Sequence, residues 1–262
     1  MKSQSFVRSR MLDKYLGKEF ETTKSGKCFI VDYVTSTDVT VAFYAPICFV
    51  KCRLSNLKDG RVFNPLTPVV CDRGYMGVGG FNSKNNKAYA IWSGMFTRAY
   101  NPNFEKIQPT YKDVEVCEEW WDFQNFAKWC HNQKGFMFKD YKGNNYHLDK
   151  DILVKGNKVY SPETCCFVPQ EINSLFALRG NMRGNYSLGV RYSVKSKKYI
   201  ASRNDVLFGR KYLGSYNTEE EAFQAYKADK DDYIKSLAEK WKGKIDDKAY
   251  QALLNFEICI ND

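Results

Sequence analysis

Residues 186–241 constrain the fold more than any other part of the chain. Three runs rich in β-branched and aromatic residues, "SLGVRYSV", "KKYIASRN" and "RKYLGSY", follow one another at short intervals. The segment "NTEEEAFQAYKADKDDYIKSLAEKW" comes next. Thr218 and Glu221 form a T-x-x-E capping box at its start, and further acids sit in the first turn, where the helix dipole favours them. Ala222, Tyr226, Tyr233 and Leu237 share one side of the helix. The pattern predicts a three-stranded sheet backed by a single amphipathic helix. Within 186–216 the basic residues Arg191, Lys195, Lys197, Lys198, Arg203, Arg210 and Lys211 stand against one acid, Asp205. A helix covers one face of such a sheet, so the basic outer face is left for a polyanion.

The bulk charge agrees. Forty Lys+Arg against 30 Asp+Glu give a formal net charge of +10 over 262 residues, which favours nucleic acid over membrane as the partner. The competing reading is a lysine-rich protein without such a partner. No apolar run approaches the roughly 18 residues of a membrane span. The basic start "MKSQSFVRSRMLDKYLGK" lacks the apolar core of a signal peptide, so an intracellular, cytoplasmic protein is expected. The 9 cysteines form no C-x-x-C pair; free thiols are expected, and no zinc.

The length suggests two or three domains and the elements an α+β class. Residues 1–72 read as a small β-barrel-like module with a basic N-terminal arm, on the strand-like runs "KCFIVDYV" and "DVTVAFYA". The glycine-rich link "GYMGVGGFNSKN" has neither G-K-[ST] nor G-x-G-x-x-G spacing, so nucleotide binding is not expected and no small-molecule cofactor is implied. Helices are expected over 87–100, with Tyr89, Trp92, Met95 and Phe96 at helical spacing, and over 117–130. The run "FMFKDYKGNNYHLDKDIL" reads as a hairpin around a Gly-Asn turn, and "VYSPETCCFVPQEINSLF" as a loop entering a helix. Residues 177–185, with two glycines and two arginines, form a basic linker.

The residues Gly189-Val190-Arg191, Ala201, Leu213-Gly214 and the run from Thr218 to Tyr226 resemble the ethylene-response-factor (APETALA2-type) DNA-binding domain. That resemblance covers about 45 residues. It implies that 186–262 are such a domain with a helical extension, its sheet entering the major groove of double-stranded DNA. Arg191 matches the family's base-contacting arginine, and Arg210 and Tyr212 match its arginine and tryptophan before "LG". Ser202 and Asn204 fall where the family has glutamate and arginine, so its recognition site is not carried over. Lys198 completes the expected contact set.

The order of the segments, with "LDKD…YSPETCCFVPQEIN" ahead of this domain, is similar to phage HNH (ββα-metal) homing endonucleases. The resemblance implies an HNH-like domain over 73–176 in a protein of a bacterial host. Asp149 takes the aspartate position, and Asn173, nine residues after Thr164, takes that of the helical metal ligand. Together they would hold Mg²⁺ or Mn²⁺. The family's general-base histidine is replaced by Lys150 and its structural asparagine by Thr164. His147, on the same strand face as Asp149, is the candidate substitute base. Two functions follow: a metal-dependent cutter or nicker of duplex DNA, and a catalytically silent relative acting as a DNA-binding regulator, decoy or counter-defence factor. Separate reader and cutter modules do not require two-fold symmetry. An RNA-binding module is a third reading, but an RRM-like aromatic motif is absent.

Overall fold

The computed structural model describes residues 10–175, 186–205 and 209–260, and the linker at 177–185 lies outside them. The fold is mixed α+β. The chain divides into two compact units, one of residues up to 112 with 116–128, the other of 113–115 with the rest from 129 onward.

In the first unit a helical stretch at 10–15 precedes four strands: β1 (Glu19–Thr22), β2 (Gly26–Thr35), β3 (Asp38–Phe43) and β4 (Cys48–Cys52). They pair in sequence order as an antiparallel meander, with β1 and β4 at its edges among the described residues. The alternation along β2 is only partial because Val31 is an extra residue: Ile30 pairs with Val41 and Asp32 with Thr40. This bulge moves the inward positions from Cys28 and Ile30 to Tyr33. These three pack with Val39, Val41, Phe43, Leu54 and Leu57 as one core, the last two from α1 (Leu54–Lys58). Buried Asn64 then stitches the "NPLTP" stretch down: its Nδ2 donates to Pro46 O at 2.8 Å and its Oδ1 accepts from Leu66 N at 3.0 Å.

The glycine-rich link has a packing reason. It begins in β6 (Gly74–Tyr75), which forms a short hairpin with β5 (Pro68–Val70). Gly77 has φ +71°, and a Cβ there would stand 1.9 Å from the Asp122 carboxylate. Helix α2 (Lys87–Tyr100) spans the expected range; the Asn86 side chain accepts from Ala88 N, and Ala88, Trp92, Met95 and Phe96 are buried. Helix α3 (Pro102–Ile107) follows. The helix expected over 117–130 is broken. A 3₁₀ turn covers Glu118–Trp121 and α4 runs Phe123–Asn132. The break falls at Asp122, whose backbone is extended and whose carboxylate accepts from Gln124 N at 2.7 Å. Asp122 therefore starts a new helix instead of continuing the old one.

The second unit carries two two-residue strands, β7 (Glu115–Val116, of which Glu115 belongs here) and β9 (Val159–Tyr160). The expected 136–153 hairpin shrinks to a turn closed by a bridge between Lys139 and Asn145. Strand β8 (His147–Asp149) pairs antiparallel with β10 (Cys166–Val168) instead, with Asp149 opposite Cys166 and His147 opposite Val168. Short helix α5 (Gln170–Asn173) lies against β8. The C-terminal sheet has the predicted three strands, β11 (Val190–Ser193), β12 (Lys198–Asp205) and β13 (Gly209–Tyr216), in that order. Helix α6 (Glu219–Trp241) covers one face, with the Thr218–Glu221 capping box complete, and α7 (Asp247–Leu254) closes the unit. Ala222, Tyr226 and Leu237 are buried along α6 as expected; Tyr233 is half-buried under the Arg203 guanidinium, 3.9 Å from its ring centre. No described helix is long and apolar enough to cross a membrane.

Candidate nucleic-acid interface

Register decides which side chains share a face of the sheet, because cross-strand partners point the same way. Arg191 pairs with Ile200, Ser193 with Lys198, Ser202 with Tyr212 and Asn204 with Arg210. On β12 these partners are 198, 200, 202 and 204, every second residue. The intervening set, Tyr199, Ala201 and Arg203, turns toward α6. One extra residue on β13 at Leu213 shifts the register between Ala201 and Ser202 and keeps Tyr212 and Ser215 on the outer side. The sheet thus brings all six expected contact residues, Arg191, Lys198, Ser202, Asn204, Arg210 and Tyr212, to the face away from α6. Ser202 is buried in the middle of that face, while the other five are exposed. Tyr212 is fixed at its tip by a 2.9 Å hydrogen bond between its hydroxyl and Ser215 Oγ.

Cations on the other side of the sheet are committed. Arg203 and Lys211 are cross-strand partners, and both bond the Asp229 carboxylate of α6. Burial pushes that carboxyl up, but the hydrogen bonds from Lys211 and Arg203 outweigh it and hold the group below its ordinary range. The start of the sheet is tied to the helix as well. Ser187 donates from its backbone N–H and its hydroxyl to Glu219 Oε1, and these bonds depress the Glu219 carboxyl.

Around β8, Asp149 and Lys150 of the expected catalytic set make local hydrogen bonds. Asp149 is buried, and its Oδ1 accepts from Asp151 N and Ile152 N, both at 2.8 Å. Burial pushes its pKa up to about 6, against those two N–H groups, which favour the ionised form; the charge of Asp151 adds to the rise and that of Lys150 opposes it. Lys150 is buried too, its Nζ donating to Asp151 Oδ1 at 2.7 Å and to Asn157 O at 2.9 Å. Asn157 returns the bond, its Nδ2 donating to Lys150 O at 2.8 Å and to Val159 O at 2.7 Å. Thr164 does hold the loop, donating from Oγ1 to Val159 O at 2.7 Å. His147 is exposed at the start of β8, and Asn173 is half-buried at the end of α5.

A hydrolytic centre of the ββα type needs a carboxylate open to a hydrated cation and a base able to take a proton from water. Asp149 is enclosed and already caps the following turn with one oxygen. Lys150 places an ion-paired ammonium where the base would stand. These residues do not fit a working Mg²⁺ centre. Among the described residues, no group of three or more His, Cys, Asp or Glu is arranged to hold a metal ion either.

The helix of this small unit supplies a residue that sequence reasoning missed. Glu171, two positions before Asn173, is buried and accepts from Lys240 Nζ at 2.7 and 2.9 Å and from Trp241 Nε1 at 3.1 Å. It binds α5 to the far end of α6. No family model, characterised protein or solved structure matches the chain.

Proposed function

We propose that the chain is a phage-type duplex-DNA-binding protein that reads DNA with the outer face of β11–β13. On this reading residues 186–262 act as an APETALA2-type reader, the β8–β10–α5 unit is an HNH-like scaffold that no longer cuts, and the N-terminal meander is an accessory module. The protein would work inside the cell, where its DNA lies. One observation carries the reading. The sheet exposes Arg191, Lys198, Asn204, Arg210 and Tyr212 together on its outer face, while the cations behind it are occupied by Asp229. A strand pair or small sheet enters the major groove. There arginine matches guanine O6 and N7, and asparagine matches adenine N6 and N7. Lysine serves the phosphates.

Selection from a randomised duplex pool would identify a site, and anisotropy titration would then measure affinity for it. Arg191→Ala and Arg210→Ala should each weaken specific binding roughly 5- to 150-fold, the range of about 1–3 kcal/mol per base contact. Affinity indifferent to both substitutions would sink the reader assignment.

A second reading, metal-dependent nicking, is favoured by the placement of His147, Asp149 and Asn173 in one small antiparallel ββα unit. Supercoiled plasmid carrying the selected site, incubated with Mg²⁺ or Mn²⁺, separates the two. The scaffold reading expects intact plasmid with the wild type. Nicking by the wild type that disappears in Asn173→Ala would replace it with the nuclease reading.

A further inference from the structure

A cleft of about 620 Å³ opens between the turn at 138–146 and the C-terminal end of α6. Its floor is rigid. Trp241 is buried and held by its bond to Glu171, and Tyr146, also buried, meets it edge-on with ring centres 5.9 Å apart at 87°. Tyr141 forms the opposite wall, its ring stacked toward Trp241 at 6.5 Å and 29°, yet it is 59% exposed. The turn that carries Tyr141 is stapled by Asp140, whose Oδ1 accepts from Lys142 N and Asn144 N, both at 2.8 Å. Little ordering of that ring is therefore needed when something stacks on it.

The rim is cationic. Lys139 and Lys244 line it, with Lys244 Nζ 5.7 Å from the Trp241 ring centre, while Lys240 Nζ, 5.2 Å from that of Tyr141, is paired with Glu171. Asp140 is the one acid of the lining, and its oxygens serve the turn. An occupant must offer a flat π-face and negative charge a few ångströms apart, in a volume typical of small-ligand sites. A base with its phosphate does so. A base within a duplex does not, because its faces are covered by its neighbours.

We propose that this cleft takes one unpaired nucleotide of a nucleic-acid strand, its base against the exposed Tyr141 ring and its phosphate at Lys244. The aromatic platform with flanking cations is the combination by which single strands are held without regard to sequence. The cleft lies about 12 Å further along α6 than Tyr233, where Arg203 of the sheet packs, at 1.5 Å per residue, and no residue of β11–β13 lines it, so it is a separate site from the outer face of the sheet. It stands on its own lining and not on duplex reading by that face.

The test uses the full chain and fluorescein-labelled single-stranded oligonucleotides of one sequence, as DNA and as RNA. Tyr141→Ala should weaken binding roughly 5- to 150-fold, as loss of a stacked base does, while Tyr141→Phe keeps it. Lys244→Glu should weaken it as well, and Arg191→Ala and Arg210→Ala should leave it unchanged. Both cleft side chains are exposed, so neither change threatens the core, and Tyr141→Phe is the folded control. A preference for either oligonucleotide that is lost in Tyr141→Ala identifies the sugar and supports the site. Three results overturn it: no single-strand binding by the wild type, a silent Tyr141→Ala, or losses that follow Arg191 and Arg210 instead. Duplex binding measured in parallel distinguishes the two interfaces, because either can fail while the other stands.

Discussion

Gly189 has φ +76°, and a Cβ added there would stand 2.0 Å from the ring of buried Tyr226. The residue lets β11 begin directly on the helix, which places Arg191 two residues later on the outer face. Gly189→Ala combines a left-handed backbone that side chains disfavour with overpacking of about 1–3 kcal/mol. A urea titration should show at least that loss, with the Tyr226 contact as its origin. At Asp149 the expectation concerns pH. An unfolded aspartate titrates near 4, and the folded group titrates at about 6. The folded chain therefore holds this proton more tightly, and the resulting stability is present below about pH 4 and lost as pH rises through about 6. A difference of that size corresponds to about 3 kcal/mol. Asp149→Asn keeps an oxygen for Asp151 N and Ile152 N without the buried charge. It should match the wild type at pH 4 and exceed it at pH 8, as thermal midpoints across that range would show; equal midpoints at pH 8 would refute the buried-charge account.

At the scale of elements, α5 is a single turn that owes its place to what Glu171 holds. Glu171→Ala leaves the Lys240 ammonium and the Trp241 indole N–H without their acceptor. Because Lys240 is partly exposed, a cost of about 1–3 kcal/mol is expected, and amide exchange should speed up at the C-terminal end of α6 before its start. Uniform acceleration along the helix would count against this clamp. The elements most legible in the sequence were those specified by near neighbours. Tyr89, Trp92, Met95 and Phe96 at helical spacing marked α2, and Thr218 with Glu221 set the start of α6. Elements decided by distant partners were not legible. Asp122 looks like one more helical residue until its side chain is seen capping Gln124. The turn chemistry of Gly143 and Asn144 suggested that β8 pairs with the residues just before it, whereas its partner is β10. Lys150 stood in a motif position, but its ammonium is fixed by Asn157, which carried no signal of its own. The face on which Arg191, Asn204 and Arg210 meet was readable from the period of two; the burial of Ser202 within it was not.

For the whole molecule, the net charge of +10 is informative only through its distribution. If the outer face of the sheet meets phosphates, log affinity should fall linearly with log salt, by about 0.9 per phosphate neutralised. Lys198→Ala should lower that slope by about one while sparing sequence preference, and Arg210→Ala should relax preference at one base pair. A selection experiment repeated at several salt concentrations checks both, and an unchanged slope in Lys198→Ala would remove it from the phosphate contacts. The ion-paired Asp229 has one more effect. By offsetting Arg203 and Lys211 behind the sheet, with Glu219, Glu220 and Glu221 in the first turn of the same helix, it leaves the helix side less positive than the outer face. Such a domain has a dipole across its thickness, and the field of a polyanion turns it before any contact forms. Asp229 would then act on the rate of productive encounter, since a domain that arrives face-first wastes fewer collisions.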